Sequence, residues 1–564
     1  MDTAEFFNKF HLTDRLKNKE EVRVKFLIGS SIAWGTQHLN PSFWMLKSWY
    51  RRNGKHNNKI TWLDAIHDNN NLTFPVIKKC IEDEKPDVIC VGLYLWNHDL
   101  YKRICIYIKE NWPEIIIIAG GPQIYAHRDP AFWQEHPWPD ALIYGEGERT
   151  FAMLLDSMID STSIAAGPVK NICFRSDDGP VVCEHERFKD PTFDVISPYL
   201  DNKQEICDTV AKIRALLPEA EVSVNWEFTK GCPYRCSFCD WSSGLHHKVT
   251  RKKYEWRHDL DLFNELNLSI RWVDANVGMF KDDGDIITYG QTLEQSNPKF
   301  VFTFYNLVKL NKKFVYDMLS QQETIRPGKK VAISLQDIHE EVLTNIDRPE
   351  IPWKEHKEMI LETKRKHPSF NFHMELIVGL PGQTLEGFAE SIIEFAEMGA
   401  TGIQAHLWSL LTNSPAYNKA YRDKHKIEVA PTLFIESLAD GINSRDEIEA
   451  NIDRCQWFLS DMIIGTYSCS LEDIMAMYGM STLYNSSVNT MGYMDLKILK
   501  KVLLNYDYWR KFGQDMGQIL RQDLQTRGKL ILAFEKDGKP ISFNHYFGDK
   551  KVNLEIIKAA YKTY

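Results

Sequence analysis

Three cysteines, Cys232, Cys236 and Cys239, fall within eight residues of the stretch TKGCPYRCSFCDW, Thr229 to Trp241. Thiolates packed this closely are a ligand set for a soft metal. A structural zinc site is tetrahedral and usually completes four Cys or His ligands in paired short spacings, and His246 and His247 stand near enough in sequence to supply a fourth. A cubane of four irons is usually held by four thiolates. With only three in the loop, one iron stays open to a small molecule, and the C-x3-C-x2-C spacing favours this second chemistry. Of the eleven cysteines, the other eight, at 80, 90, 105, 173, 183, 207, 455 and 469, are scattered through apolar patterns and read as core residues.

Regular elements must position that loop, and the hydrophobic rhythm supplies them. From Val22 to about Met158, short β-rich runs alternate with amphipathic stretches, the βαβ rhythm of a parallel sheet. Strands are predicted at Arg23–Ile28, Lys59–Leu63, Asp87–Leu95, Glu114–Ala119 and Asp140–Tyr144, with helices that include Pro75–Glu84 and Leu100–Asn111. Glycines and polar residues gather just after the strands: GSS at 29–31, WNHD at 96–99, GGP at 120–122 and GEGE at 145–148. That edge is where open parallel sheets bind ligands. No GxGxxG follows the first strand, which argues against a dinucleotide. Asn171 to Glu186 reads as a hairpin turning at Asp178-Gly179.

A second series has β-like runs at Val222–Phe228, Ser269–Asp274, Phe300–Asn306, Lys330–Leu335, Asn371–Val378 and Gly402–Trp408. Six strands with intervening helices describe a partial (βα)6 barrel. The cysteine loop follows the first of them, on the face where barrels place their chemistry. Beyond about Pro431 helical patterns dominate, ending in a hairpin around Asp537-Gly538. The expected boundaries are 1–190 for a first α/β domain, 191–220 for a linker, 221–430 for the barrel and 431–564 for a mostly helical accessory or substrate domain.

CPYRCSFC, with Phe238 before the last cysteine, resembles the loop of radical S-adenosylmethionine (SAM) enzymes. The resemblance implies a 4Fe-4S cluster on Cys232, Cys236 and Cys239, whose open iron chelates SAM and cleaves it to a 5′-deoxyadenosyl radical after receiving an electron. Further segments follow in the same order. RWVDANVGMF (271–280) resembles the family's second-strand segment and implies that Asp274 and Asn276 face SAM, although Asp-Ala-Asn stands where many members carry Gly-Gly-Glu. ISLQDIHEEVLTNIDR (333–348) is similar to the fourth strand and helix, bringing Ser334, Gln336 and Arg348 toward the SAM ribose or carboxylate. MELIVGLPGQT (374–384) resembles the fifth strand, with Glu375 and the turn Gly379-Leu380-Pro381-Gly382 near the adenine. Phe238 joins this SAM-binding set by the same resemblance.

The first domain resembles the cobalamin-binding domains that precede the barrel in one subclass, the class B radical SAM methyltransferase-like enzymes, through VGLYLWN (91–97), IIIIAGGP (115–122) and DALIYGEGERTF (140–151). The resemblance makes Gly120, Gly121, Gly145, Glu146 and Gly147 the cofactor wall and puts Tyr94, Trp96 and Asn97 closer to the corrin ring. The DxHxxG motif of many cobalamin proteins is missing, because Asp64-Ala-Ile-His67 has another spacing and no glycine follows. Ligation of cobalt by that histidine is therefore not expected, and His67 and His98 read as ordinary polar residues. The implied fold class is α/β: an N-terminal Rossmann-like cobalamin-binding domain, a central partial (βα)6 radical SAM barrel and a mostly helical C-terminal domain. The implied function is methylation of an unactivated carbon with cluster, SAM and methylcobalamin. The alternative is a non-methylating rearrangement, cyclisation or oxidation with cobalamin structural or absent. No catalytic residue is identified beyond the cluster ligands. No second three-cysteine set marks a methylthiotransferase, and a cobalamin- or zinc-binding sensor is the reading from another class.

Composition sets outer bounds. The chain of 564 residues is 43% hydrophobic and 26% charged, a globular balance with room for several cores. A net charge of -9 gives no footprint for bulk nucleic acid, and the basic strip HHKVTRKKYEWR (246–257) reads as a solvated helix face. Apolar runs such as Val88 to Leu95 and Ile115 to Ala119 fall far short of the roughly 20 residues of a membrane span. The charged first residues lack the apolar segment of a secretory signal, so a cytoplasmic, reducing location is expected. The expected partners are a small-molecule or peptide substrate and a reducing protein such as flavodoxin or ferredoxin. Among the C-terminal aromatics, Trp457, Tyr493, Tyr506, Tyr508 and Trp509 read as core. LLTNSPAY (410–417) resembles the loop that leaves the barrel toward the active site.

Overall fold

The computed structural model describes residues 12, 15–28, 36–66, 74–124, 138–161, 170–176, 179–182, 196–241, 249–304, 331–368, 370–438, 440–452, 455–490 and 495–562. The chain folds into two compact units. One comprises Met1–Lys230, Gly244–Val273 and Thr292–Thr303, and the other Gly231–Ser243, Asp274–Gln291 and Phe304–Tyr564.

In the first unit the strands are β1 (Val22–Leu27), β2 (Thr36–Leu39), β3 (Ile60–Trp62), β4 (Val88–Gly92), β5 (Ile116–Gly120), β6 (Ala141–Ile143), β7 (Ile172–Ser176) and β8 (Gly179–Val182). Seven of them form one sheet in the order β3-β1-β4-β5-β6-β7-β8. The first five pair in parallel, and β7 and β8 add an antiparallel hairpin. Its turn residue Asp178, like His67 and Cys183, lies outside the described residues. Near-continuous apolar strands such as VICVG are what a sheet covered on both faces requires. Ile77 and Ile81 of helix Phe74–Glu84 and Ile104, Cys105 and Ile108 of helix His98–Asn111 recur at helical spacing. They bury one stripe against Ile89, Val91, Ile117 and Ala119.

The expected barrel strands form at their expected places, in two groups. The first unit holds β9 (Glu221–Trp226), the two-residue strands β10 (Thr229–Lys230) and β11 (Thr250–Arg251), β12 (Ser269–Trp272) and β13 (Val301–Phe304). Their sheet runs β13-β12-β9-β2, so the short strand β2, which sequence reasoning missed, lies parallel to β9 at its edge. β10 and β11 pair antiparallel and bracket the cysteine loop in sequence.

The second unit holds β14 (Val331–Gln336), β15 (Phe372–Val378) and β16 (Ile403–Leu407), all parallel. It continues into β17 (Glu428–Ser437), β18 (Gln456–Gly465), β19 (Leu530–Lys536) and β20 (Lys539–Ser542), ordered β18-β17-β19-β20. Helices still dominate beyond residue 431, but this sheet was not expected there. Pro431 sits within β17, where it is tolerated because β17 pairs with β19 only from Thr432 to Phe434. The hairpin at Asp537-Gly538 forms with both residues at positive φ, 50° and 74°. Helices Leu471–Thr490 and Tyr506–Arg527 cross closely, since a Cβ on Gly513 would lie 2.1 Å from the Glu472 carbonyl oxygen. Among the described residues no helix is long and apolar enough to cross a membrane.

Candidate functional site

The cysteine loop is pinned through Ser237. Its N–H donates to the Ile346 carbonyl (2.8 Å), its carbonyl accepts from the Ala416 N–H (2.9 Å), and its Oγ shares a hydrogen bond with the Tyr421 hydroxyl (2.7 Å). Cys239 N–H closes a turn onto the Cys236 carbonyl (3.1 Å). Cys232 and Cys236 are buried and Cys239 is partly exposed. The Asn276 side-chain amide donates to Cys232 Sγ (3.1 Å) and the Trp241 N–H to Cys239 Sγ (3.4 Å). Phe238 packs against the cluster of Val342, Ile346, Ile377 and Leu380, with the Arg348 guanidinium 6.0 Å from its ring centre. Among the described residues no three His, Cys, Asp or Glu side chains form a ready single-metal site. A cubane asks for something else, because each thiolate binds its own iron, and the three-thiol set suits that demand. His246 and His247 lie outside the described residues.

Strand alternation builds a polar face in the same unit. Along β15, Phe372, Met374 and Leu376 are buried while His373 and Glu375 are partly exposed. Along β16, Ile403 and Ala405 are buried while Gln404 and His406 are exposed. The register sets Ser334, Glu375 and Gln404 side by side. Ser334 Oγ donates to Glu375 Oε2, and His373 Nε2 lies 3.6 Å from Oε1. Burial pushes the Glu375 carboxyl up, but the nearby His373, the hydroxyl bond from Ser334 and the His406 side chain outweigh it and hold the group below its ordinary value. Burial lowers His406, more than the nearby Glu375 raises it.

Gln336 ends β14 at an irregularity, with φ at 71° and Oε1 buried without a partner. Arg348 is buried; its guanidinium donates to the Ser334 carbonyl and to Glu350 (3.0 Å), leaving Nε unpartnered. Asp274 and Asn276, just after β12, are both buried. The turn after β15 has Gly379 and Gly382 at positive φ, 95° and 98°. It is braced by Gln383, whose Oε1 accepts from Gly379 and Leu380 N–H (2.9 Å each) while Nε2 donates to Asp337 (2.7 Å). Asn345 holds the Pro381 carbonyl (3.1 Å). Sequence reasoning named Ser334, Gln336, Arg348, Glu375 and this turn. It missed His373, Gln383, Gln404 and His406, although the period-two patterns FHME and IQAH carried the signal for the strand residues.

In the first unit the strand order reverses between β1 and β4, the topological switch point at which doubly wound sheets open a ligand crevice. After β4 the rings of Tyr94 and Trp96 stack at 4.9 Å and 14°, and the Trp96 indole N–H is buried without a partner. Asn97 turns inward instead. Its Oδ1 accepts from Tyr94 N–H (2.7 Å) and its Nδ2 donates to the Gly92 carbonyl (3.0 Å), so it braces the loop. Gly121, at φ 102°, is required by the chain itself, since a Cβ would lie 2.5 Å from the Leu93 carbonyl oxygen. Gly120 and Gly147 meet only ordinary contacts and leave backbone that a flat cofactor can approach. Gly145 has φ 74°, and Glu146 N-caps helix Gly147–Asp160. Glu148 of that helix pairs with Lys230 (3.1 Å), both buried. Burial pulls Lys230 down, but Glu148, Glu146 and Glu227 outweigh it and keep the amine charged. An orphaned indole donor and open glycine backbone, at the same end of neighbouring parallel strands, fit a large ring carrying polar side arms, as cobalamin does.

The fold is the α/β architecture of cobalamin-dependent radical SAM enzymes, as two solved structures show. TsrM from Kitasatospora setae, a radical SAM methyltransferase solved with cobalamin and a [4Fe-4S] cluster, superposes with a TM-score of 0.57 at 12% identity, covering 88% of this chain and 100% of that one. The cobalamin-dependent SAM radical enzyme OxsB, solved with aqua-cobalamin and SAM, gives 0.57 at 14% identity, covering 96% and 79%. No protein-family profile matches the chain. In sequence it is 27% identical over 385 residues to the cobalamin-dependent radical SAM methyltransferase TokK of Streptomyces tokunonensis, covering 65% of this chain and 53% of TokK. It is 26% identical over 341 residues to 2-(S-pantetheinyl)-carbapenam-3-carboxylate methyltransferase of Streptantibioticus cattleyicolor, covering 58% and 48%. The chain thus spans about half the length of these two relatives. A shorter match, 28% over 186 residues and 32% of this chain, is to the anaerobic magnesium-protoporphyrin IX monomethyl ester cyclase of Rubrivivax gelatinosus.

Proposed function

We propose that this chain is a cobalamin-dependent radical SAM enzyme that methylates an unactivated carbon of a small molecule or peptide. It works in the cytoplasm, with a one-electron protein donor such as flavodoxin or ferredoxin. The observation that carries this reading is the three-cysteine loop, pinned at Ser237 with Asn276 on the Cys232 sulfur. When bound, the cluster and SAM supply a carbon-centred radical and cobalamin supplies the methyl group. The chain's own contribution is placement. Cys232, Cys236 and Cys239 hold the cluster. Ser334, Gln336, Glu375 and Arg348, with Phe238, Asp274, Asn276 and the turn at Gly379 and Pro381, receive SAM. Glu375, held ionised by its neighbours, accepts hydroxyl hydrogens. Tyr94, Trp96, Gly120, Gly121, Gly145, Glu146 and Gly147, on a loop braced by Asn97, receive cobalamin. By function, residues 1–190 form the cobalamin segment, 191–220 a linker, 221–430 the SAM segment and 431–564 the substrate segment.

The test uses anaerobically purified, cluster-loaded protein incubated with hydroxocobalamin and desalted. The expected result is stoichiometric cobalamin in the visible spectrum, with both S-adenosylhomocysteine and 5′-deoxyadenosine formed from SAM. A fully loaded cluster that yields neither product overturns the proposal. The match to the cyclase favours a second reading, a radical reaction without methyl transfer. Deoxyadenosine without S-adenosylhomocysteine would select it.

A further inference from the structure

Helix Lys419–His425 backs directly onto the cysteine loop. Its Tyr421 hydroxyl bonds Ser237 Oγ (2.7 Å) and the Asn345 carbonyl (2.8 Å), and the preceding turn contributes the bond from Ala416 N–H to the Ser237 carbonyl (2.9 Å). Ser237 follows the cluster ligand Cys236 in sequence. One side chain of a surface helix therefore reaches the residue next to a cluster ligand.

The outer flank of that helix is basic. Lys419, Lys424 and Lys426 are exposed, and Arg422 lies 5.6 Å from the ring centre of Tyr417, itself 43% exposed. Between residues 417 and 428 four basic side chains face two acidic ones, Asp423 and Glu428, and Asp423 is engaged by Lys419 at 2.6 Å. Tyr467, 44% exposed, adds a second aromatic, stacked on His425 at 6.1 Å. The chain as a whole has the opposite bias, with a net charge of -9. An acidic protein would be repelled by most of this surface and drawn to this flank, because local charge steers encounters.

From this placement we infer that the flank formed by Tyr417, Lys419, Arg422, Lys424, Lys426 and Tyr467 docks an acidic one-electron carrier protein that reduces the cluster. The inference rests on the cluster reading above, since cleavage of SAM to a radical consumes one electron. In the docked pair the carrier is oxidised by one electron and the cluster is reduced by one, with no bond made or broken. A small patch of basic residues around two tyrosines suits the weak, brief contacts typical of electron-transfer partners.

The test is charge reversal at two exposed lysines that touch none of the binding residues, Lys424→Glu with Lys426→Glu, and charge removal with alanine at the same positions. Cluster-loaded protein is mixed anaerobically with reduced flavodoxin, and bleaching of the cluster absorbance gives the reduction rate. At low salt the reversed variant is expected to be slower by roughly 10-fold and the alanine variant by less, with both differences shrinking as salt screens the charges. Reduction by dithionite should stay unchanged. An unaltered rate with flavodoxin, or equal slowing with dithionite, overturns the docking surface. If dithionite fails to bleach even the parent protein, the cluster reading beneath the inference fails instead, and the inference with it.

Discussion

Asn276 and His38 show how single side chains set the properties of their surroundings. Asn276 aims an amide at a sulfur, and Glu375 keeps its charge because the nearby His373 and the bond from Ser334 outweigh its burial. His38 is the reverse case. Buried between β2 and β9, it shares a hydrogen bond with Ser223, its Nε2 has no partner, and burial with the Arg271 charge lowers its pKa to about 4. The neutral imidazole is thus favoured in the fold. Between the folded value and the unfolded value of 6.5 the unfolded chain binds more protons, so stability falls as pH falls through that window. The cost at pH 5 is about 2 kcal/mol. Thermal melts from pH 7 to pH 5 should show this acid loss, and His38→Gln should flatten that part of the profile whatever it does to stability at neutral pH. An unchanged slope would remove His38 as the cause.

Elements meet through a few long-range contacts that sequence spacing does not advertise. Lys230 at the end of β10 and Glu148 in helix Gly147–Asp160 are 82 positions apart and form a buried ion pair. Breaking such a pair leaves one charge without its partner at a cost of about 3–5 kcal/mol, whereas replacing both partners with apolar groups is often close to neutral. Lys230→Met should therefore lower the melting temperature sharply and weaken cobalamin retention, because Glu148 sits in the first turn of the helix that Glu146 caps. Adding Glu148→Leu should restore most of the melting temperature. A double variant no more stable than Lys230→Met would show that the pair contributes through something other than charge burial.

For the molecule as a whole, each unit has its own apolar core, and the two groups of candidate cofactor residues fall in different units. The glycine-rich edge of the seven-stranded sheet belongs to the first, and the cysteine loop with the polar face of β14–β16 belongs to the second. Replacing Cys232, Cys236 and Cys239 together with alanine should abolish deoxyadenosine formation and iron binding. The same protein should still take up hydroxocobalamin and show helix and strand content by circular dichroism close to that of the parent. A triple variant that still forms deoxyadenosine would sink the assignment of these thiols.

Features encoded over a few residues were legible without any structure. The C-x3-C-x2-C loop was read directly, because thiols seven positions apart at most must share a loop. The five parallel strands of the first sheet and the glycine turns after them were read from local alternation, and Ser334, Glu375 and Gly379 from segments with a familiar order. Other features exist only once distant segments meet. The facing of His373, Gln404 and His406 depends on the register of β15 and β16, and β2 finds its place beside β9 across nearly 190 positions. β17 accommodates Pro431 only because the flank toward β19 lacks a partner at that position. The sequence by itself determined which ligands, turns and strands are available, because those follow from short-range chemistry. Only the tertiary structure decided which polar groups share a face, which charges are paired and that a basic helix lies behind the cysteine loop, because burial and cross-strand register are set by contacts between segments far apart in the chain.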